Sequence, residues 1–298
     1  AVITNCRSKE IPVLLKEVLD GLAIKKGEIF LDCTAGAGGH SGAVCHQLGS
    51  SVKIVAIDQD EDAVNRVKEE LFPCDGISKL GNFRNLDRIL DETGINQPNK
   101  VLFDLGLSSN QLEESHRGFS FQKDEPLLMT FEKNPLDYRA TAAGIVNSWN
   151  QEEIADIIWR FGEERRARKI AEAIVAERKR QPITTSKQLA ELVAKIIPRG
   201  KIHSATKTFQ ALRIAVNDEL NALTEGLRQS FQRLAPNGRL AVISFHSLED
   251  RIVKNFFRDK NKEGLGKILT KKPLTPTDEE ITRNRKARSA KLRIIEKI

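Results

Sequence analysis

Short apolar runs alternate with helical periods through the first third of the chain. Glu28–Cys33 (EIFLDC) has the length and composition of a buried strand, and a glycine-rich stretch and a helix to about Leu48 follow it. Val52–Asp58 (VKIVAID) predicts a second strand, and Asp60–Leu71 a helix with acidic residues in its first turn. Ile77–Leu80 predicts a third strand and Lys100–Leu105 (KVLFDL) a fourth. Strands alternating with helices predict an α/β fold built on a doubly wound parallel sheet. Such a sheet takes its ligand beyond the carboxyl ends of the strands.

The rhythm breaks after Ser109. Residues Gln111–Tyr138 show no clear period and contain Gly118, Pro126 and Pro135, so irregular structure is expected. Helices are expected at Gln151–Phe161, Glu163–Arg180 and Ser186–Ile197, the last with Thr185 or Ser186 as N-cap. In the middle one, Ala167, Ile170, Ala171, Ile174 and Val175 form a single apolar stripe. About ninety residues without a strand predict an inserted helical domain at 111–203, between sheet-domain segments 1–110 and 204–298. In the last segment one helix is expected from about Ala205 to Leu234, then a strand at Gly238–Phe245. Ile268–Lys271 and Ala290–Glu296 are expected to close the sheet as an antiparallel pair.

A chain of 298 residues suits one large domain with such an insertion, and 40% hydrophobic with 30% charged residues is ordinary for a folded protein. No window approaches 18 uncharged apolar residues, so no membrane span is expected. AVITNCRSKE lacks the apolar core of a secretion signal, which makes the expected location cytoplasmic. Cys6, Cys33, Cys45 and Cys74 form no CxxC pair and have no histidine pair at zinc spacing. They are expected to be idle thiols, with no metal site. The net charge of +7 is unevenly placed: from Arg251 onward there are fifteen Lys/Arg against six Asp/Glu, about +9, so the rest is nearly neutral. A concentrated basic segment suits a polyanion such as nucleic acid, because each neutralised phosphate releases a counterion.

The glycine stretch reads DCTAGAGGH, Asp32–His40, with Gly36, Gly38 and Gly39 between a strand and a helix. Glycines there let the backbone turn tightly and approach a ligand closely. A dinucleotide fingerprint G-x-G-x-x-G begun at Gly36 requires glycine where Ser41 stands, and one begun at Gly38 meets His40. An acid four residues before Gly36, followed by Gly36 and Gly38, fits a methyltransferase-like loop instead. Asp58 ends the second strand 22 residues after Gly36, where a carboxylate accepts hydrogen bonds from ribose hydroxyls. Asp104 ends the fourth strand, before LGLSS, on the side where cofactor and substrate meet.

Several stretches together resemble one family. They are IPVLLKEV, DCTAGAGGHS, DLGLSSNQL, RGFSF, FGEERRARKIAEAIV, ATKTFQALRIAVNDEL, ISFHSLEDRIVK and RNRKARSAKLRIIE, spread from Ile11 to Glu296. In these the chain resembles the MraW/RsmH family, the 16S ribosomal RNA (cytosine-N4)-methyltransferases. The resemblance implies a class I methyltransferase (Rossmann-like) sheet with an inserted helical domain and S-adenosyl-L-methionine as cofactor. It implies methylation of the exocyclic N4 of a cytidine in the decoding centre, with 16S ribosomal RNA or the small ribosomal subunit as partner. By motif position, the implied cofactor contacts are Gly38, Gly39, His40, Asp58, Phe83, Asp104 and Gln111, beside Gly36 from the loop itself.

The chain departs from the family pattern at Glu10, where a histidine is usual, and at Asn110, where proline is common. In DEPLLMTFE, Leu128, Thr130 and Glu132 replace an acid, a base and an acid. That last departure is the feature favouring a rival reading, a non-catalytic RNA-binding or ribosome-assembly factor that kept the fold. For methyl transfer to a weakly nucleophilic amine, acceptors at Asp104, Ser108 and Ser109 are the expected catalytic groups. His246, in SFHSLEDR after the last long strand, is expected to meet the target nucleotide or else to brace its loop. Arg283, Arg285, Lys286, Arg288, Lys291 and Arg293 are expected, with the inserted helices, to grip phosphates.

Overall fold

In the computed structural model, which describes residues 11–74, 76–132, 137–198, 200 and 202–298, the chain opens with α1 (Leu15–Leu22) and β1 (Ile29–Asp32). There follow α2 (Gly39–Leu48), β2 (Lys53–Asp58), α3 (Glu61–Leu71), β3 (Ile77–Leu80), α4 (Leu86–Thr93) and β4 (Lys100–Asp104). The next helices are α5 (Ser109–Glu113), α6 (Ala142–Ser148), α7 (Gln151–Gly162), α8 (Ala167–Arg178), α9 (Ser186–Ile196) and α10 (Thr206–Asn217). The chain ends through α11 (Glu219–Arg233), β5 (Arg239–Ser244), α12 (Ser247–Lys262), β6 (Gly266–Ile268), α13 (Asp278–Arg283) and β7 (Lys291–Lys297). Two compact units result. One is drawn from the chain up to Gly106 and from Leu220 to Ile298, the other from Leu107–Glu219.

The strands of the first unit lie in the order β3-β2-β1-β4-β5-β7-β6. Those from β3 to β5 are parallel, and β7 and β6 join antiparallel, as the sequence predicts for the closing pair. Side-chain alternation explains why these strands read as unbroken apolar runs. Phe30, Ile54, Ala56, Leu102, Ala241 and Ile243 enter the core on one face, with Val18 and Leu22 of α1 and Val44 of α2. Their chain neighbours Leu31, Val55, Ile57, Val101, Phe103, Leu240 and Val242 enter the other, with Leu86 and Leu90 of α4 and Leu223 and Leu227 of α11. A sheet covered on both faces has no solvent side to mark with polar residues.

The second unit has its own core, in which the stripe Ala167, Ile170, Ala171 and Ile174 meets Ile154 and Ile158 of α7, Leu189 and Val193 of α9, and Leu212 of α10. Thr185 caps α9 in a reciprocal box with Gln188. The DEPLLMTFE segment is wall material here. Leu127, Met129 and Phe131 are buried, and their amides donate to Thr184 O, Arg117 O and Asn217 Oδ1 at 2.9, 2.7 and 2.9 Å.

Two expectations are corrected. The single helix Ala205–Leu234 is two helices, because Asp218 takes a left-handed turn (φ 49°). Aspartate tolerates that conformation better than most side chains, and the Arg213 guanidinium grips the Glu219 carboxylate across the break at 2.8 and 2.9 Å. The cysteines are not all idle thiols. Cys45 near the end of α2 and Cys74 after α3 are joined as a disulfide, while Cys33 is free and buried; Cys6 lies outside the described residues. The pattern of the sequence hid this pair because its members stand 29 positions apart, with all of β2 and α3 between them.

Opening that closed loop should lower stability by about 3–4 kcal/mol through the entropy returned to the unfolded chain. Urea unfolding of the oxidised protein, compared with Cys74→Ser, measures it; equal midpoints would contradict the expectation.

Candidate active site

β1, β2 and β4 all end on an aspartate: Asp32, Asp58 and Asp104. β1 lies between β2 and β4, where the chain, having built outward through β2 and β3, returns to build the other half. Neighbouring connections leave the sheet in opposite directions at that point and open a crevice at the strand ends. The loop after β1 runs along it, since Cys33 N donates to Leu102 O and Ala35 N to Ile57 O, each at 2.9 Å.

The glycines of the loop are required for different reasons. Gly36 (φ 52°) turns left-handed and aims its amide at Asp58 Oδ2, 2.8 Å away. Gly38 (φ 83°) is the N-cap of α2 and presses on Val67 and Glu70 of α3, which a Cβ would meet at 3.2 Å. Gly39 admits Pro12, whose Cγ would lie 2.6 Å from a Cβ there. At Gly36, which is only partly buried, no side chain stands over the backbone of the loop.

The carboxylates are supplied with donors from the same loop. Asp32, 1% exposed, accepts from Ser41 Oγ at 2.6 Å and from Thr34 N at 3.2 Å. Burial pushes its pKa up to about 6 against those two hydrogen bonds, and the Asp58 charge adds to the rise. Thr34 Oγ1 in turn accepts from Asp104 N at 2.6 Å, so Asp32, Thr34 and Asp104 form one chain of contacts. Asp58 accepts from Gly36 N and, at 2.9 Å, from Asp60 N; burial raises its pKa to about 6 as well. A carboxylate offers about four acceptor positions, and with the Gln59 backbone also donating, Asp58 keeps about one for a hydroxyl.

His40 is buried, with Nε2 3.0 Å from Val13 O. Burial lowers its pKa to about 4, against the pull of that carbonyl. The ring is therefore neutral at pH 7, with its proton on Nε2 facing the carbonyl, and Nδ1 turns a lone pair toward Asp104 Oδ2, 3.6 Å away. Two acceptors side by side suit a cationic or N–H donor. Phe83 opens a turn capped by Asn82 and sets its ring edgewise on Phe103, 5.2 Å between centroids, where Gly226 of α11 gives it room. The donor set suits a nucleoside bearing a cationic group: bare backbone, ribose acceptors and a partly buried aromatic ring.

Ser108 and Gln111 belong to the second unit, where they form the capping box of α5. His246 caps α12. Its Nδ1 accepts from Glu249 N at 3.4 Å and its Nε2 lies 3.1 Å from Glu249 Oε1, while Glu249 Oε2 accepts from Phe245 N at 2.8 Å. This is the geometry of a loop brace, placed beside β4 because Ile243 is the register partner of Asp104. Arg293 is corrected as a phosphate contact. It is 8% exposed on β7 and its guanidinium is taken by Asp250 at 2.7 and 3.2 Å. Burial pushes the Asp250 carboxyl up, but Arg293 and Lys291 outweigh it and hold the pKa below the ordinary value. The parts that the motif reading left without a role are Thr34, Ser41 and the Pro12–Val13 segment. Their roles depend on atoms brought in from β4 and α2.

The profile described as the MraW methylase family matches residues 7–298. The Ribosomal RNA small subunit methyltransferase H of Brevibacillus brevis is 42% identical, covering 99% of this chain and all of its own. Its namesake in Thermomicrobium roseum is 47% identical over 96% of this chain and 93% of its own. That of Carboxydothermus hydrogenoformans is 43% identical over 97% of each.

Were Asp58 to accept from ribose hydroxyls, a proton on it would compete with them, and its raised pKa would bring that competition close to neutrality. Affinity for S-adenosylmethionine, the cofactor the loop sequence implies, should be level above pH 7 and fall as the pH drops through about 6. His40 stays neutral across that window. Calorimetry between pH 5 and 8 checks it: Asp58→Asn should bind more weakly with a flatter profile, and an unchanged profile would implicate another group.

Proposed function

Because the chain belongs to the MraW methylase family, we propose that this S-adenosylmethionine-dependent methyltransferase modifies the exocyclic N4 of a cytidine in the decoding centre of small-subunit (16S) ribosomal RNA, in the cytoplasm. The naming of its relatives as small-subunit ribosomal RNA methyltransferases supports the RNA class. The observation carrying a catalytic reading over that of an assembly factor is the intact row of aspartates, with loop donors on the Asp32 and Asp58 carboxylates and the Asp104 amide donating to Thr34 Oγ1.

In this reading Gly36, Gly38, Gly39 and His40 line the cofactor, Asp58 accepts from its ribose, Phe83 covers adenine, and Asp104 and Gln111 complete the contacts. When bound, the cofactor supplies an electrophilic methyl group on a sulfonium. The protein's task is to make a poor nucleophile competent, since the cytosine amine shares its lone pair with the ring. Acceptors that draw on the amine hydrogens favour a pyramidal nitrogen, and a fixed approach lowers the entropic part of the barrier. Asp104, Ser108 and Ser109, which follow one another closely after β4, are the proposed acceptors. His246 serves through its brace with Glu249: it holds the turn after β5 and so positions what lies beside β4. A cytidine in folded RNA must be splayed out to be reached, and the exposed Arg283, Arg285 and Arg288 are proposed to hold the flanking phosphates.

Mass spectrometry of small-subunit RNA from cells with and without the gene should find N4-methylcytidine only where the gene is present; an unchanged modification profile would favour the assembly factor. His246→Ala should keep cofactor affinity and lower turnover by about tenfold or more, as expected when a positioning contact is lost. Replacing Arg283, Arg285 and Arg288 together with alanine should weaken RNA binding and flatten its log–log salt dependence by roughly two units. Filter binding at several salt concentrations measures that slope, and an unaltered slope would remove this segment from the interface.

A further inference from the structure

Residues Ile11–Leu14 form a strap against the glycine loop. Pro12 packs on Gly39, and Val13 O meets His40 Nε2 at 3.0 Å. Nothing in the first-turn chemistry of α1 holds the strap in place: Leu14 stands at the N-cap with no side-chain capping bond and in a left-handed conformation (φ 53°). That conformation costs a non-glycine residue of order 1–2 kcal/mol, so the strap needs support from elsewhere.

The support comes from α13, more than 260 residues along the chain. Glu280 Oε1 accepts the Leu14 amide at 2.7 Å, and Asn284 Nδ2 donates to Ile11 O at 3.0 Å. Both side chains, the acceptor Glu280 and the donor Asn284, are well anchored. Thr277 caps α13 by accepting from Glu280 N at 3.2 Å, and Asn284 Oδ1 accepts from Lys286 N at 3.2 Å, which starts the following turn. The two contacts bracket Pro12 and Val13, the residues that touch the glycine loop. Strap and clasp lie within the first unit.

We infer that Glu280 and Asn284 are positioning residues for the cofactor site: by clasping Ile11–Leu14 they hold Val13 O against His40 and Pro12 against Gly39. They do not touch the cofactor. Their loss frees the strap, lets His40 turn, and weakens cofactor binding without altering the chemistry at saturation. The inference rests on the reading of Gly36–His40 as the cofactor loop.

The test uses the full-length protein and S-adenosylmethionine. Glu280→Ala removes the acceptor, while Glu280→Gln keeps an oxygen at the same place. Asn284→Asp removes the donor but preserves the oxygen that caps Lys286, which guards against a mere unravelling of the turn. The expected result is cofactor affinity lowered about tenfold in Glu280→Ala, which loses a part-buried, charge-assisted hydrogen bond, and about fivefold in Asn284→Asp, which loses a neutral, exposed one. Glu280→Gln should stay within about threefold. KM for the cofactor should rise with kcat nearly unchanged, and hydrogen exchange at the Leu14 amide should quicken in Glu280→Ala. Wild-type affinity in both Glu280→Ala and Asn284→Asp overturns the clasp, as does unchanged exchange at Leu14. Asp58→Ala separates the two readings. If it binds the cofactor normally, the loop assignment is at fault; if it loses binding while the α13 variants do not, the clasp is.

Discussion

Burying a carboxylate is costly unless donors meet it, and this fold buries them at the ends of adjacent strands. Burial raises the pKa of both Asp32 and Asp58 to about 6; the Asp58 charge adds to the rise at Asp32 and the Asp60 charge to that at Asp58. The glycine loop answers that requirement. It brings the Gly36 and Thr34 amides and the Ser41 hydroxyl to the two groups, and Thr34 carries the connection on to the Asp104 backbone. The loop conformation and the ionisation of the site are thus one arrangement. Shifting the loop would strip donors from both carboxylates, so it is held in place by electrostatics as much as by packing.

The same logic accounts for the neutral His40. Its ring is enclosed by the strap, α2 and the end of β4, and burial outweighs the carbonyl that would favour a charge. A neutral imidazole with its proton committed to Val13 presents an acceptor, not a cation, beside Asp104. A protonated His40 would compete with a sulfonium or an amine for that carboxylate.

Basic residues near the carboxyl terminus divide into two kinds. Arg239 of β5 pairs with Glu296 of β7 at 2.8 Å and ties that strand to the sheet, and Arg293 of β7 pairs with Asp250 and ties it to α12. Arg283, Arg285 and Arg288 remain outside the sheet and exposed. The surplus charge of this segment is therefore partly structural, which reduces the number of cations available to a phosphate backbone. α13 adds a mechanical role, because its Glu280 and Asn284 hold the strap of the cofactor loop.

The sequence by itself determined the alternating architecture, the strand ends at Asp58 and Asp104, the first strand to within a residue of its end at Asp32, and the helices whose apolar stripe is complete, such as α8. These follow from local periodicity and from glycines that only a tight turn requires. It also carried the family motifs from Ile11 to Glu296, which point to the cofactor and the reaction. Only the tertiary structure decided the break at Asp218, the bond between Cys45 and Cys74, and the withdrawal of Arg293 into the sheet. Each depends on a partner far along the chain or on a backbone angle that leaves no periodic trace. The glycine loop shows both sides: its glycines announce a ligand site, but the reason Gly39 must be glycine is a proline 27 residues earlier.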